Sequence, residues 1–167
     1  MNFDNQVDMF QNLEFEFDRD MVSDSLLNKW DSAQYLNIQP EVKGRFQWSG
    51  VRKLVFSPAV PFAPNTDYVL KITSEISKHL TEKKLPDEHE IKFHTSYLKV
   101  ERSQTFWGLD ENNYNQVQLR ILLNFNHGVD VNVARKFISV KLDGKPVNAE
   151  LLSRENGNEL DFRIAVP

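Results

Sequence analysis

Apolar and polar residues alternate along this chain in short runs, and the runs are cut by Pro, Gly, Asn and Ser. Leu13, Phe15 and Phe17 alternate with Glu14, Glu16 and Asp18, so one face of a strand is apolar and the other carries carboxylates. Further strands are predicted at Tyr35–Ile38, Arg45–Trp48, Lys53–Phe56, Tyr68–Thr73 and Glu90–Thr95. Ser49-Gly50 and Pro64-Asn65-Thr66 supply turns, and Thr81 to Glu88 reads as a charged loop. Between Ser25 and Ala33 the period changes: Leu26, Leu27 and Trp30 have helical spacing, which predicts one or two turns crossing between sheets. Short strands at this density predict a sandwich whose core holds Phe15, Phe17, Phe46, Trp48, Leu54, Phe56, Tyr68 and Phe93.

The pattern shifts at Ser96-Tyr97, where a domain boundary is expected (1–97 and 98–167). Beyond it, Leu98–Phe106, Gln116–Phe125, Phe137–Leu142, Val147–Leu152 and Leu160–Val166 read as strands, with a hairpin signal at Asp143-Gly144. A weak internal repeat links the two halves. Leu13–Asp18 resembles Ile121–Asn126, Leu36-Asn37-Ile38 resembles Ile138-Ser139-Val140, and Lys53–Phe56 resembles Glu159–Phe162. Ala59-Val60-Pro61 returns as Ala165-Val166-Pro167. In the first copy a further hairpin follows, whereas the second stops at Pro167. The expected fold is therefore all-β, two consecutive antiparallel sandwiches, with the second cut short and the natural protein continuing beyond it.

Composition narrows the function classes. A hydrophobic content of 40% with 26% charged residues fits a globular chain, and Phe 12 with Trp 3 provides bulky core anchors. The net charge of −4 argues against non-specific binding to nucleic acid or anionic lipid. With Cys 0, disulfides, thiol catalysis and cysteine metal sites are excluded. No apolar run approaches the roughly 20 residues that a membrane-crossing helix needs. Met1-Asn2-Phe3-Asp4-Asn5 lacks the basic start and apolar middle of a signal peptide.

Candidate chemistry is sparse. Glu14, Glu16, Asp18 and Asp20 recur at every second residue, which places four carboxylates on one strand face. Calcium wants oxygens gathered around a loop, and a straight ladder spaces them about 7 Å apart, so a solvated face is expected. His89 and His94 should point to opposite faces of a strand, His127 sits beside Gly128 in a turn, and His79 stands alone; all four read as surface residues. Phe46 and Trp48 share a face that alternates with Arg45 and Gln47, which predicts burial. Trp107 is expected to pack near the boundary between the halves. Lys78, Lys83 and Lys84 are interleaved with Glu75, Glu82 and Glu88, a mixed solvated surface and no nucleic-acid patch. No nucleophile elbow, zinc-protease motif or phosphate-cradling glycine loop occurs. No catalytic, cofactor-binding or metal-ligating residue is therefore assigned, and no cofactor.

Leu36-Asn37-Ile38-Gln39-Pro40, Gly44–Gly50, Lys53–Pro58 and Pro64–Tyr68, in that order, resemble the bacterial immunoglobulin-like domain of S-layer-type proteins and of the front of bacterial alpha-2-macroglobulins. The resemblance runs from about Leu13 to Thr95. The second half, through Asn124-Phe125-Asn126, Val129 and Phe137–Lys145, is similar to macroglobulin-type domains. What this resemblance implies is a non-catalytic structural module of a large protease-trapping protein. Its partners would be neighbouring domains of the same parent and, through the parent, proteases, without nucleic acid or direct membrane insertion. The parent would be periplasmic or on the cell surface, membrane-anchored outside this segment. Neither the family's thioester motif nor a bait region is present here. An adhesion or carbohydrate-binding module of a bacterial surface protein remains the alternative.

Overall fold

The computed structural model describes residues 1–78, 90–110 and 113–165. The chain divides into two compact units, Met1–Tyr97 and Leu98–Pro167.

Unit 1 is built from β1 (Gln6–Val7), β2 (Leu13–Glu16), β3 (Trp30–Asp31), β4 (Leu36–Gln39), β5 (Gly44–Gly50), β6 (Lys53–Pro58), β7 (Asp67–Ile72) and β8 (Ile91–Thr95). They form two four-stranded sheets, ordered β1-β8-β7-β4 and β2-β6-β5-β3. Between these sheets lies a core of Phe3, Leu13, Phe15, Tyr35, Phe46, Trp48, Leu54, Phe56, Phe62, Tyr68, Leu70 and Phe93, among others. Alternation decides which residues enter it. On β5 Phe46 and Trp48 are buried while Arg45 and Ser49 are exposed, and on β6 Leu54 and Phe56 are buried between half-buried Lys53, Val55 and Ser57. The eight residues expected in the core are all there, Phe17 packing against it half-buried. Ring edges meet ring faces through the layer, with Tyr35 at 5.4 Å from Phe46 and Phe62 at 5.7 Å from Phe93.

The expected helix between Ser25 and Ala33 is a single 3-10 turn, Asp24–Leu26. Trp30 instead belongs to edge strand β3, opposite Gln47. Helical spacing over so few residues cannot offset the cost of nucleating a helix, and pairing with β5 offers the backbone hydrogen bonds a better use. The short strand β1, which pairs parallel to β8, has no alternation of its own to reveal it. Gly44 shows close packing: a Cβ there would collide with the Phe56 ring and the Ser57 carbonyl.

Unit 2 contains β9 (Val100–Asp110), β10 (Asn113–Val129), the single helical turn α1 (Val131–Ala134), β11 (Val140–Leu142), β12 (Lys145–Val147), β13 (Ala149–Leu151) and β14 (Gly157–Ala165). A four-stranded antiparallel sheet runs β13-β14-β10-β9, and β11 with β12 forms a separate hairpin. Its core is smaller, gathering Phe125, Val129, Val131, Leu160 and Phe162, with Ile121, Leu123, Ala134, Ile138, Ala149 and Leu151 packed alongside. The Asp143-Gly144 hairpin forms as expected, both residues at positive φ (50° and 78°), as a tight two-residue turn requires. Two expected strands differ. Phe137 lies in the turn after α1 and is 82% exposed, so the strand begins only at Val140. Asp130 caps α1 by accepting from the Val133 N–H at 2.9 Å, which draws the preceding residues into a helical turn. Val147–Leu152 divides into β12 and β13, because β13 leaves the hairpin to pair with β14.

The internal repeat reappears in the strand pairing. In unit 1 Leu13 faces Phe56 and Phe15 faces Leu54. In unit 2 the matching residues keep the same register, Ile121 facing Phe162 and Leu123 facing Leu160.

Candidate functional site

The acidic ladder is shorter than its sequence suggests. Only Glu14 and Glu16 lie on β2; Asp18 and Asp20 follow the end of the strand. The reason lies in a segment distant in the chain: Phe17 and Met21 donate their N–H groups to the carbonyls of Arg52 and Val51, so the chain bends around the β5–β6 turn. Three of the four carboxylates are engaged by cations. Glu14 pairs with Lys53 at 2.7 Å, Asp18 with its neighbour Arg19 at 3.1 Å and Asp20 with Arg52 at 2.6 Å. The hydrogen bond from Arg19 lowers the Asp18 pKa, and the hydrogen bonds that Lys53 and Arg52 donate to Glu14 and Asp20 raise their own pKa values. Among the described residues, no three His, Asp or Glu side chains gather in a way that could hold a metal ion.

His94 lies on β8, where its Nδ1–H donates to the Thr95 carbonyl at 2.8 Å and its ring stacks on Tyr97 with centroids 4.3 Å apart. His127 sits in the irregular end of β10 and not in a turn, because β10 continues to Val129 across a register shift after Asn124. His79, His89, Lys83, Lys84, Glu82 and Glu88, and the Thr81–Glu88 loop, lie outside the described residues. Lys78 pairs with Glu75 at 3.3 Å.

Trp48 is buried at 2% exposure, as its alternation predicts, between Phe17 and Tyr35. Trp107 is 62% exposed and stands on edge strand β9, which among the described residues only β10 flanks. Phe106 and Trp107 are consecutive on the strand and therefore point to opposite faces, so they cannot form one stacking platform. The exposed Trp30 ring has one face taken by the Arg45 guanidinium, 4.8 Å from its centroid. A hollow of about 310 Å³ near Gln34, Glu41 and Lys43 is lined also by Phe46 and Phe56, both buried core residues.

Some polar groups that alternation did not single out prove structural. The Tyr35 hydroxyl donates to Asp31 at 2.6 Å, while Asp31 also accepts the Ala33 N–H at 2.8 Å. Burial, and then this hydrogen bond, push the Tyr35 pKa up to about 12. Buried Thr95 donates to the Ala63 carbonyl at 2.7 Å and accepts from the Thr66 N–H at 3.1 Å, tying the β7 approach to β8. In unit 2, Arg120 and Asp161 pair across β10 and β14, and Arg163 reaches Glu150 at 2.7 Å and Asp110 at 3.3 Å. An Asp-x-x-x-Tyr spacing flanking a strand start is the one sequence signal that could have exposed the Asp31–Tyr35 pair.

In unit 1, two four-stranded sheets, antiparallel except for the β1–β8 pair, pack on one apolar layer and define an immunoglobulin-like β-sandwich. Residues 2–95 match the family model described as the bacterial Ig-like domain. The chain therefore belongs to the bacterial Ig-like domain family, whose members are typically non-catalytic and generally extracellular or at the cell surface. No curated protein and no solved structure matches the chain. No helix among the described residues is long and apolar enough to cross a membrane.

Proposed function

We propose that this chain is a non-catalytic structural module of a large bacterial alpha-2-macroglobulin-like protein that traps proteases. The observation that carries the reading is the repeated register: the same pair of cross-strand contacts, Leu13–Phe56 with Phe15–Leu54 and Ile121–Phe162 with Leu123–Leu160, is built twice in succession. A trap of this kind is a string of such sandwiches, and a chain that repeats one strand pair of a sandwich suits that design. The pairing of its carboxylates with Lys53, Arg19 and Arg52 supports a role in which polar side chains hold the fold. The module's partners are then the neighbouring domains of its parent, and proteases meet it through the parent. The parent is periplasmic or surface-exposed and anchored to a membrane outside this segment.

The test is to incubate the parent protein with proteases of different specificity and follow protease activity on native gels. Cleaved parent that co-migrates with enclosed, still active protease is expected, while the 167-residue chain alone inhibits none. A parent that captures no protease overturns the reading. The second reading, an adhesion or glycan-binding module, draws on the exposure of Trp107. A glycan array on which binding disappears in Trp107→Ala would favour it.

A further inference from the structure

Among the described residues, β9 has a hydrogen-bonded neighbour on one side only, at the end of the order β13-β14-β10-β9. Proteins usually protect such edges by making them short, charged or proline-bearing. The other edge strands follow that rule: β13 has 3 residues, β1 and β3 have 2 each, and β2 and β4 have 4 each. β9 does not, since it runs for 11 residues and its stretch Ser103–Leu109 contains neither charge nor proline. Within it Phe106, Trp107 and Leu109 are 43%, 62% and 54% exposed.

Independently of the protease-trap reading, we propose that this edge pairs with β9 of a second copy of the chain, antiparallel, about a two-fold axis beside Phe106. Charge selects the partner and the register. A two-fold antiparallel pairing places residue i opposite residue j with i + j constant and even, so each register has one residue facing its own copy. With Phe106 on the axis, Arg102 faces Asp110 of the second copy, twice by symmetry, and Gln104 faces the bare Gly108. With the axis at Gln104 or Thr105, Arg102 faces Phe106 or Gly108. With the axis at Trp107, Asp110 faces Gln104. Of these four registers, only the one at Phe106 sets opposite charges against each other, which favours a cross-strand pair. Arg163 holds the Asp110 carboxylate on this same face of the sheet at 3.3 Å. Phe106 lies over Gly108, where an added Cβ would be 3.9 Å from its ring, so the two Phe106 rings meet on the axis from a supported position. Strand addition of this kind takes its affinity from main-chain hydrogen bonds and its register from the side chains.

The chain contains no cysteine, so single-cysteine variants report the register directly. Sedimentation of the full chain across a concentration series should show a reversible dimer. Under oxidation Phe106→Cys should cross-link to a dimer. Gln104→Cys should not, because the two copies of that position stand about 14 Å apart, beyond the span of a disulfide. Arg102→Glu, an exposed change, should weaken the dimer roughly three- to thirtyfold. A chain that remains monomeric at millimolar concentration overturns the proposal. So does cross-linking of Gln104→Cys as complete as that of Phe106→Cys, or a dimer unaffected by Arg102→Glu.

Discussion

Two tryptophans show how differently one residue type behaves on a strand. Trp48 fills the core between Phe17 and Tyr35, so Trp48→Ala should destabilise unit 1 by about 3–5 kcal/mol. A thermal melt would register that as a large fall or as loss of folding. Trp107→Ala, on the exposed edge of unit 2, should change a dilute sample's melting by no more than about 0.5 kcal/mol. An unchanged melt for Trp48→Ala would mean that its ring is not a core element. Tyr35 makes a pH prediction. Its folded pKa, about 12, lies above the ordinary phenol value, so the folded state holds the proton more tightly than the unfolded chain does. Its contribution is fully present below about pH 10 and is lost as pH rises towards 12, roughly 2–3 kcal/mol in all. Tyr35→Phe should flatten that alkaline slope in denaturant titrations. A slope identical to that of the original chain would remove Tyr35 as its source.

At the scale of elements, strand pairing depends on a few contacts that cross between strands. Gly44→Ala should cost about 1–3 kcal/mol, because the new methyl must displace the Phe56 ring and the Ser57 carbonyl at the start of β5. Urea unfolding would read it, and a neutral result would show that the β5–β6 pair can give way there. Asp161→Ala should destabilise unit 2 by about 1.5–3 kcal/mol, since it removes the carboxylate that accepts hydrogen bonds from the mostly buried Arg120 across β10 and β14. Most strands were legible from alternation, and β4 to β8 fall within a few residues of their expected ends. The misplaced elements share a cause. Trp30, Phe137 and Asp18 were assigned from spacing, but each was decided by a hydrogen bond to a residue distant in the chain or by a cap. Trp30 pairs with Gln47, the chain past Asp18 with Arg52 and Val51, and the turn before Phe137 with the Asp130 cap.

At the scale of the molecule, the two units bury unequal cores. Unit 1 closes two four-stranded sheets on a continuous aromatic layer, whereas in unit 2 the core gathers residues of one sheet with Val131 and Ala134 of a helical turn. Less apolar burial means less stabilisation, so amides of β10 and β14 should exchange with solvent faster than those of β5, β6 and β7. Hydrogen exchange in a dilute sample would test this, and equal protection in both units would show that the smaller core suffices.

The sequence by itself determined the all-β class, the core of unit 1 and the repeated pair of strands. These follow from the two-residue period of a strand, which each local segment carries without help from the rest. It also carried the words of the bacterial Ig-like domain that the match over residues 2–95 bears out. Only the tertiary structure decided that the carboxylates would be matched by Lys53 and Arg52, that Tyr35 would donate to Asp31, and that the long strand β9 would stand, among the described residues, at the end of its sheet. Alternation says which side of a strand faces the core, but nothing in it says which strand lies alongside. Ion pairs, buried hydrogen bonds and free edges are properties of that neighbour.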